Sequence, residues 1–99
     1  MNQAFNKIIH YPEPVLVDFH ATWCGPCKIQ SPELEKLKKI MGDSIRIFKI
    51  DVDQHPDIAG VYQVSGVPTL ILFKGGHPVW RKSGVVTAHQ LSQIIQQHN

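Results

Sequence analysis

The apolar residues fall into blocks whose spacing changes along the chain. Over residues 3–10, Phe5, Ile8 and Ile9 share one side of a short helix. Pro12 and Pro14 in "YPEP" end it, because a proline disfavours helix in the residue before it. Residues 15–19, VLVDF, are nearly continuously apolar and β-branched, the pattern of a strand covered on both faces. Leu34, Leu37, Ile40 and Met41 then recur at helical spacing, with Gly42 as a stop. Pro32 inside this segment predicts either a kink or a helix that begins anew with Ser31 as its cap. Residues 44–53, SIRIFKIDVD, read as a second strand, a short helix after Pro56 takes in Ile58, Val61 and Tyr62, and TLILFK at residues 69–74 reads as a third strand. "GGHP" predicts a turn into a fourth strand over residues 79–83, where Trp80 is ordinary packing. Thr87 with Gln90 three residues on has the capping-box pattern, and Leu91, Ile94, Ile95 and His98 follow at i, i+3, i+4, i+7.

The predicted order is therefore α, β, α, β, α, β, β, α. A strand–helix–strand unit implies a right-handed parallel crossover, and the hairpin adds an antiparallel strand. The expected fold class is α/β, a mixed sheet of about four strands with helices on both faces. No repeat, low-complexity tract or linker divides the 99 residues, so one domain spanning 1–99 is expected.

Composition narrows the function classes. With 42% hydrophobic and 18% charged residues the chain has no disordered signature. A formal charge of +2, with scattered basic residues apart from Lys36, Lys38 and Lys39 on one helix face, argues against a nucleic-acid footprint or a polybasic membrane anchor. No segment approaches the ~20 apolar residues of a membrane span, and the first residues lack the pattern of a signal peptide. A cytoplasmic protein is expected, and in a reducing cytoplasm a permanent disulfide is out of place.

The chemistry concentrates in "ATWCGPCK", residues 21–28, which holds both cysteines of the chain. A structural zinc needs four ligands, and the six histidines, at 10, 20, 55, 77, 89 and 98, show no metal-binding pair to complete the set. An inert buried pair would sit within the apolar strand, yet Cys24 and Cys27 stand just beyond its end, where α/β folds place their sites. The remaining reading is a pair that opens and closes. Cys24 falls where a strand hands over to a helix, so backbone N–H groups and the helix dipole favour its thiolate, the nucleophilic form. It is expected to be the attacking and the more exposed thiol. Pro26 suits a first helical turn, Gly25 gives the backbone a tight turn, and Cys27 one turn on can reach back to Cys24. Asp18 interrupts the apolar strand. Such an acid is either a strand-end residue bonded to backbone or solvent, or a buried carboxyl whose pKa rises towards neutrality. In the second case it can take and return a thiol's proton.

"WCGPCK" after "VLVDF", followed by "GVPT" at residues 66–69, resembles the thioredoxin family. "KIDVDQHP" at 49–56 and "LFKGGHPV" at 72–79 extend the resemblance to nearly the whole chain. It implies a disulfide reductase in which Cys24 attacks a target disulfide and Cys27 resolves the mixed disulfide. Asp18 then serves as proton acceptor and donor, with Lys49 as a nearby charge that moderates it. The resemblance also implies a cis bond at Val67–Pro68, and a flat docking patch of Trp23, Gly25, Pro26, Val67, Pro68 and Gly84. The Val67 backbone would there pair with an extended target chain. It implies disulfide-containing target proteins, recharging by an NADPH-dependent thioredoxin reductase, and no cofactor or metal held by this chain.

A histidine between the cysteines would favour the reduced form and make an oxidant. Gly25 and Pro26 carry no such charge, so a reductant is favoured over a disulfide oxidase or isomerase. A redox-silent binding module is the rival from another class, since fold alone does not fix function.

Two features depart from the family pattern. The usual strand before the first helix is missing, which makes the strand around residues 45–53 a sheet edge and raises a weak dimer as the alternative to a monomer. His20 stands where the family typically has tryptophan. It is either a packing substitution or a group near the Cys24 loop that changes the pH response.

Overall fold

The computed structural model describes residues 2–99 and orders them as α1 (Gln3–Ile9), β1 (Val15–His20), α2 (Gly25–Met41), β2 (Arg46–Asp51), α3 (Pro56–Val61), β3 (Thr69–Lys74), β4 (His77–Ser83) and α4 (Ala88–Gln97). The four strands form one mixed sheet in the order β2-β1-β3-β4. β1 runs parallel to β2 and antiparallel to β3, and β3 and β4 form an antiparallel hairpin. The apolar run of β1 is explained by its place inside the sheet, with helices on both faces. Val15, Val17 and Phe19 pack towards α1 and α3 with Phe5, Ile9, Ile58, Ile71 and Phe73. Leu16 packs towards α2 and α4 with Leu34, Leu37, Leu70, Leu72, Leu91 and Ile95. Each such fully buried side chain contributes roughly 1.5–3 kcal/mol. By the same alternation Asp18 and His20 lie on the Leu16 face, and Lys49 and Asp51 on the Ile47 face of β2, which is the same side of the sheet.

The element bounds differ from expectation in instructive places. α2 runs unbroken through Pro32, and Ser31 is a helical residue whose hydroxyl takes a hydrogen bond from Lys49 rather than a cap. Pro32 only removes the N–H that would bond the Lys28 carbonyl, a loss the flanking turns absorb. The second strand is shorter than residues 44–53. A 3-10 turn occupies Gly42–Ser44, and beyond the strand the Asp51 carboxylate collects the N–H groups of Asp53 (2.8 Å) and Gln54 (3.3 Å), bending the chain away. The hairpin turn is Gly75–Gly76 alone, both at positive φ (57° and 85°), so His77 and Pro78 already belong to β4. Two positive φ values give the turn whose twist matches the flanking strands. Pro78 is tolerated because β4 is an edge strand. The capping box at the start of α4 is present: Thr87 accepts from the Gln90 N–H and the Gln90 side chain from the Thr87 N–H. Among the described residues no strand precedes α1, so β2 is the other sheet edge.

Candidate active site at the carboxyl end of β1

β1 ends at His20, and four residues later the chain enters α2 with Cys24 as its N-cap. Cys24 and Cys27 are joined as a disulfide, their Cα atoms 5.3 Å apart. The Cys27 N–H points at Cys24 Sγ at 3.1 Å, so the sulfur sits on the exposed donors of the first helical turn. Pro26 lies in that turn, where a missing N–H costs nothing. Gly25 is the first helical residue, and open space surrounds the place a Cβ would take. The tight turn expected of Gly25 is therefore not what closes the ring; the helical rise between N-cap and third residue does.

Cys24 is not the more exposed cysteine in this disulfide form. It is 3% exposed and Cys27 6%, because Ala21, Val52 and Val67 pack around the pair and Cys24 Sγ lies 3.6 Å from the Val67 carbonyl oxygen. Val67–Pro68 is cis. Gly84 at φ 94° donates its N–H to the Pro68 carbonyl at 2.9 Å, which ties the loop to the end of β4. Thr69 Oγ1 bonds the Gly66 carbonyl and the Ser83 hydroxyl, closing the loop from its other side. Of the six residues expected in the docking patch, Trp23, Gly25, Pro26 and Gly84 are exposed and Val67 half-buried, whereas Pro68 is buried beneath them. Trp23 is 70% exposed, yet its ring is held by a 2.8 Å hydrogen bond from Nε1 to Asp53. Ile29, 63% exposed and one turn along α2 from Pro26, adds apolar surface.

Sequence reasoning missed Asp53, Ile29 and Gln30. Gln30 is fully buried and bonds both the N–H and the carbonyl of Val86, at 2.8 and 2.9 Å. That pair of bonds fixes α2 against the segment carrying Gly84. A glutamine inside a helix that also holds charged residues gives no local signal of this.

Behind the disulfide a cleft of about 280 Å³ is lined by Asp18, His20, Cys27, Lys28, Ser31 and Lys49. Cys27, and not Cys24, faces it. Asp18 is 1% exposed and its Oδ1 receives no hydrogen bond from any described residue. Burial pushes its carboxyl up from the ordinary 3.8, and the positive charges of His20 and Lys49 offset only part of the rise. Lys49 makes no ion pair with it, because its ammonium reaches across to Ser31 on α2. His20 is half-buried and lines the same cleft as Asp18 and Cys27, together with Ala21 and Thr22 of the loop that leads to Cys24. Among the described residues no three His, Cys, Asp or Glu side chains are grouped as a metal would require.

A Cys-x-x-Cys disulfide capping a helix at the carboxyl end of a central strand, with a cis X–Pro bond against the sulfur, defines a thiol–disulfide oxidoreductase. The Thioredoxin family model matches residues 1–97, and the chain belongs to that family. A thioredoxin-like protein of Synechocystis is 52% identical over 85 residues, covering 86% of this chain and 81% of its own length. The bifunctional thioredoxin reductase/thioredoxin of Mycobacterium leprae is 40% identical over 99 residues, covering 96% of this chain and 22% of its own length. The chain spans little more than half the length of the chloroplastic relatives it matches in rice (56%) and Arabidopsis (52%). The crystal structure of mitochondrial thioredoxin 3 from Saccharomyces cerevisiae, in its oxidised form, superposes with a TM-score of 0.85 at 36% identity, covering 95% of this chain and 87% of that one.

Proposed function

We propose that the chain is a protein-disulfide reductase recharged by an NADPH-dependent thioredoxin reductase. The observation that carries this is the asymmetry of the two sulfurs: Cys24 caps the helix and accepts the Cys27 N–H, while Cys27 faces the cleft that holds Asp18. The Cys24 thiolate attacks one sulfur of the target disulfide, forming a mixed disulfide and expelling the first target thiolate. Cys27 gives its proton to the Asp18 carboxylate and its thiolate attacks Cys24 Sγ. The second target thiolate leaves, and the Cys24–Cys27 disulfide has taken up the oxidation of the target. Two electrons from the reductase then return the pair to thiols.

The remaining residues act around this centre. Lys49, held by Ser31 across the cleft from Asp18, keeps a positive charge near the acid without quenching it. Trp23, Gly25, Pro26, Val67 and Gly84 form the docking face, over Pro68, and the fixed indole of Trp23 presents apolar surface to a target segment. Support for the recharging partner comes from the Mycobacterium leprae relative, whose name joins a thioredoxin reductase to a thioredoxin in one protein. Arg46, Lys49 and Asp51 blunt the β2 edge against strand pairing, so the working form is a monomer.

The deciding assay is NADPH-dependent reduction of insulin disulfides by the chain with a bacterial thioredoxin reductase. Wild type should turn over, and replacing either cysteine by serine should abolish turnover. Cys27→Ser should also accumulate a mixed disulfide with a disulfide peptide through Cys24, and Cys24→Ser should not. No turnover with a competent reductase, or trapping by the wrong variant, refutes the proposal.

A further inference from the structure

On one side of the sheet, β1 and β2 hold four ionisable side chains in two cross-strand pairs: Asp18 opposite Lys49, and His20 opposite Asp51. α2 covers them with Cys27, Lys28 and Ser31. On the other flank of β1, β3 sets Leu70 opposite Asp18 and Thr69 opposite Phe19, which bring no charge. An acid that accepts the Cys27 proton either holds it until recharging or exchanges it with solvent in between, and Asp18 is too buried for direct exchange. Lys49 is poorly suited as the next carrier: an ammonium has donors and no acceptor, and this one is engaged with Ser31. Lys28 on α2 has the same limitation. Asp51 is engaged by the Asp53 and Gln54 N–H groups. His20 alone in this group combines a place on the cleft wall, partial exposure, and ring nitrogens that can accept as well as donate.

We infer that His20 is the outer station of a proton relay, taking the Cys27 proton from Asp18 across the cleft and exchanging it with solvent. This rests on the proposed role of Asp18 as proton acceptor. The two residues are i and i+2 on one strand face, about 7 Å apart at Cα, a span one water molecule bridges in a cleft of this size. The steps balance. Cys27–SH and Asp18 carboxylate become Cys27 thiolate and Asp18 carboxylic acid; the acid and neutral His20 become carboxylate and imidazolium; the imidazolium loses its proton to solvent. In the recharging direction the same steps run backwards and return the proton to Cys27. His20 touches neither sulfur of the reacting pair in this scheme, so it is a positioning residue that acts through Asp18. A charge on its ring also favours the Asp18 carboxylate, since an opposite charge favours ionisation.

The test is a pH profile from 5 to 9 of single-turnover reduction of a synthetic disulfide peptide by the reduced chain, followed through indole fluorescence. Wild type, His20→Gln, His20→Trp, Asp18→Asn and the double variant Asp18→Asn/His20→Gln are compared. Both His20 variants should be slower at pH 6 by roughly three- to tenfold, the range an opposite charge near a partly exposed site produces, with profiles that converge by pH 9. The double variant should lose no more than Asp18→Asn alone. Parallel profiles for wild type and His20→Gln, or a loss in Gln that Trp restores at every pH, overturn the relay and leave His20 as packing. An Asp18→Asn profile identical to wild type overturns the role of Asp18 itself, a separate failure. If a His20 variant does not fold, carboxyl-carbon NMR of wild type decides: the Asp18 resonance should move in two steps, one recording the charge on His20, and a single step refutes the coupling.

Discussion

Asp18→Asn should stabilise the disulfide form of the fold above neutral pH and leave it unchanged in acid. In that form neither thiol titrates, which isolates the acid. Asp18 is 1% exposed with Oδ1 unpartnered, and an orphaned buried acceptor costs about 1–3 kcal/mol. Removing an ion from water adds several kcal/mol even after relaxation. A single opposite charge about 6 Å away at an effective dielectric of ~20 returns roughly 3 kcal/mol, and Lys49 and His20 supply that kind of offset. The amide of the variant remains poorly paired, so it recovers only the charge portion, about 2 kcal/mol at pH 8. For a chain of this size that is a rise in Tm of roughly 8–16 °C. The sign of the pH dependence follows from the raised carboxyl. Between 3.8 and its raised folded value the native state holds a proton that the unfolded state has lost. Wild-type stability therefore falls as pH rises through that window and then levels off. The variant lacks this limb, so the difference should be near zero below pH 3.8 and grow to its plateau above the window. Guanidinium unfolding of the oxidised proteins from pH 3 to 8.5 measures it. A difference independent of pH, or a variant less stable at pH 8, refutes the reading of Asp18 as a buried, uncompensated acid.

Gln30→Ala should destabilise by about 3 kcal/mol, since it leaves the buried N–H and carbonyl of Val86 both unpaired; equilibrium denaturation with an unchanged m-value checks it. Gly76→Ala should cost about 2 kcal/mol, because the residue sits at φ 85° and its Cβ would run into the His10 ring. Adding His10→Ala should restore the steric part of that loss and not the backbone part, which a double-mutant cycle separates; full recovery would show that φ carries no penalty there.

How far the sequence disclosed this molecule depends on the range of the interactions involved. The blocks VLVDF and TLILFK, the Thr87–Gln90 box and the pair of glycines in the hairpin are short-range signals, and the elements they announce are present. Ser31 as a cap failed because a helix already running from Cys24, and packed by Leu34 and Leu37, absorbs one lost bond at Pro32. Trp23 with Asp53, 30 residues apart, and Gln30 with Val86, 56 apart, were illegible because neither partner carries a local mark of the other. The cover over the Cys24 sulfur in the disulfide form was illegible because it comes from Val67, 43 residues away. His20 lies beside the loop to Cys24, and strand parity also puts it with Asp18, two residues back on the same face.

That parity ties the stability of the fold to its chemistry. In the proposed mechanism the acid that takes the Cys27 proton must have its carboxylate disfavoured, and burial without a full ion pair disfavours that of Asp18. A direct bond from Lys49 to Asp18 would stabilise the fold and favour the carboxylate, a weaker base for the proton; Lys49 bonds Ser31 instead. The α2 helix is thus more than a platform for the cysteines, since its Ser31 engages the ammonium that stands opposite Asp18 on β2. Removing that bond with Ser31→Ala should free Lys49 to approach Asp18, raising stability at neutral pH while slowing the resolution of mixed disulfides by Cys27. If the two quantities do not move in these opposite directions, the strain at Asp18 and the proton transfer have separate origins.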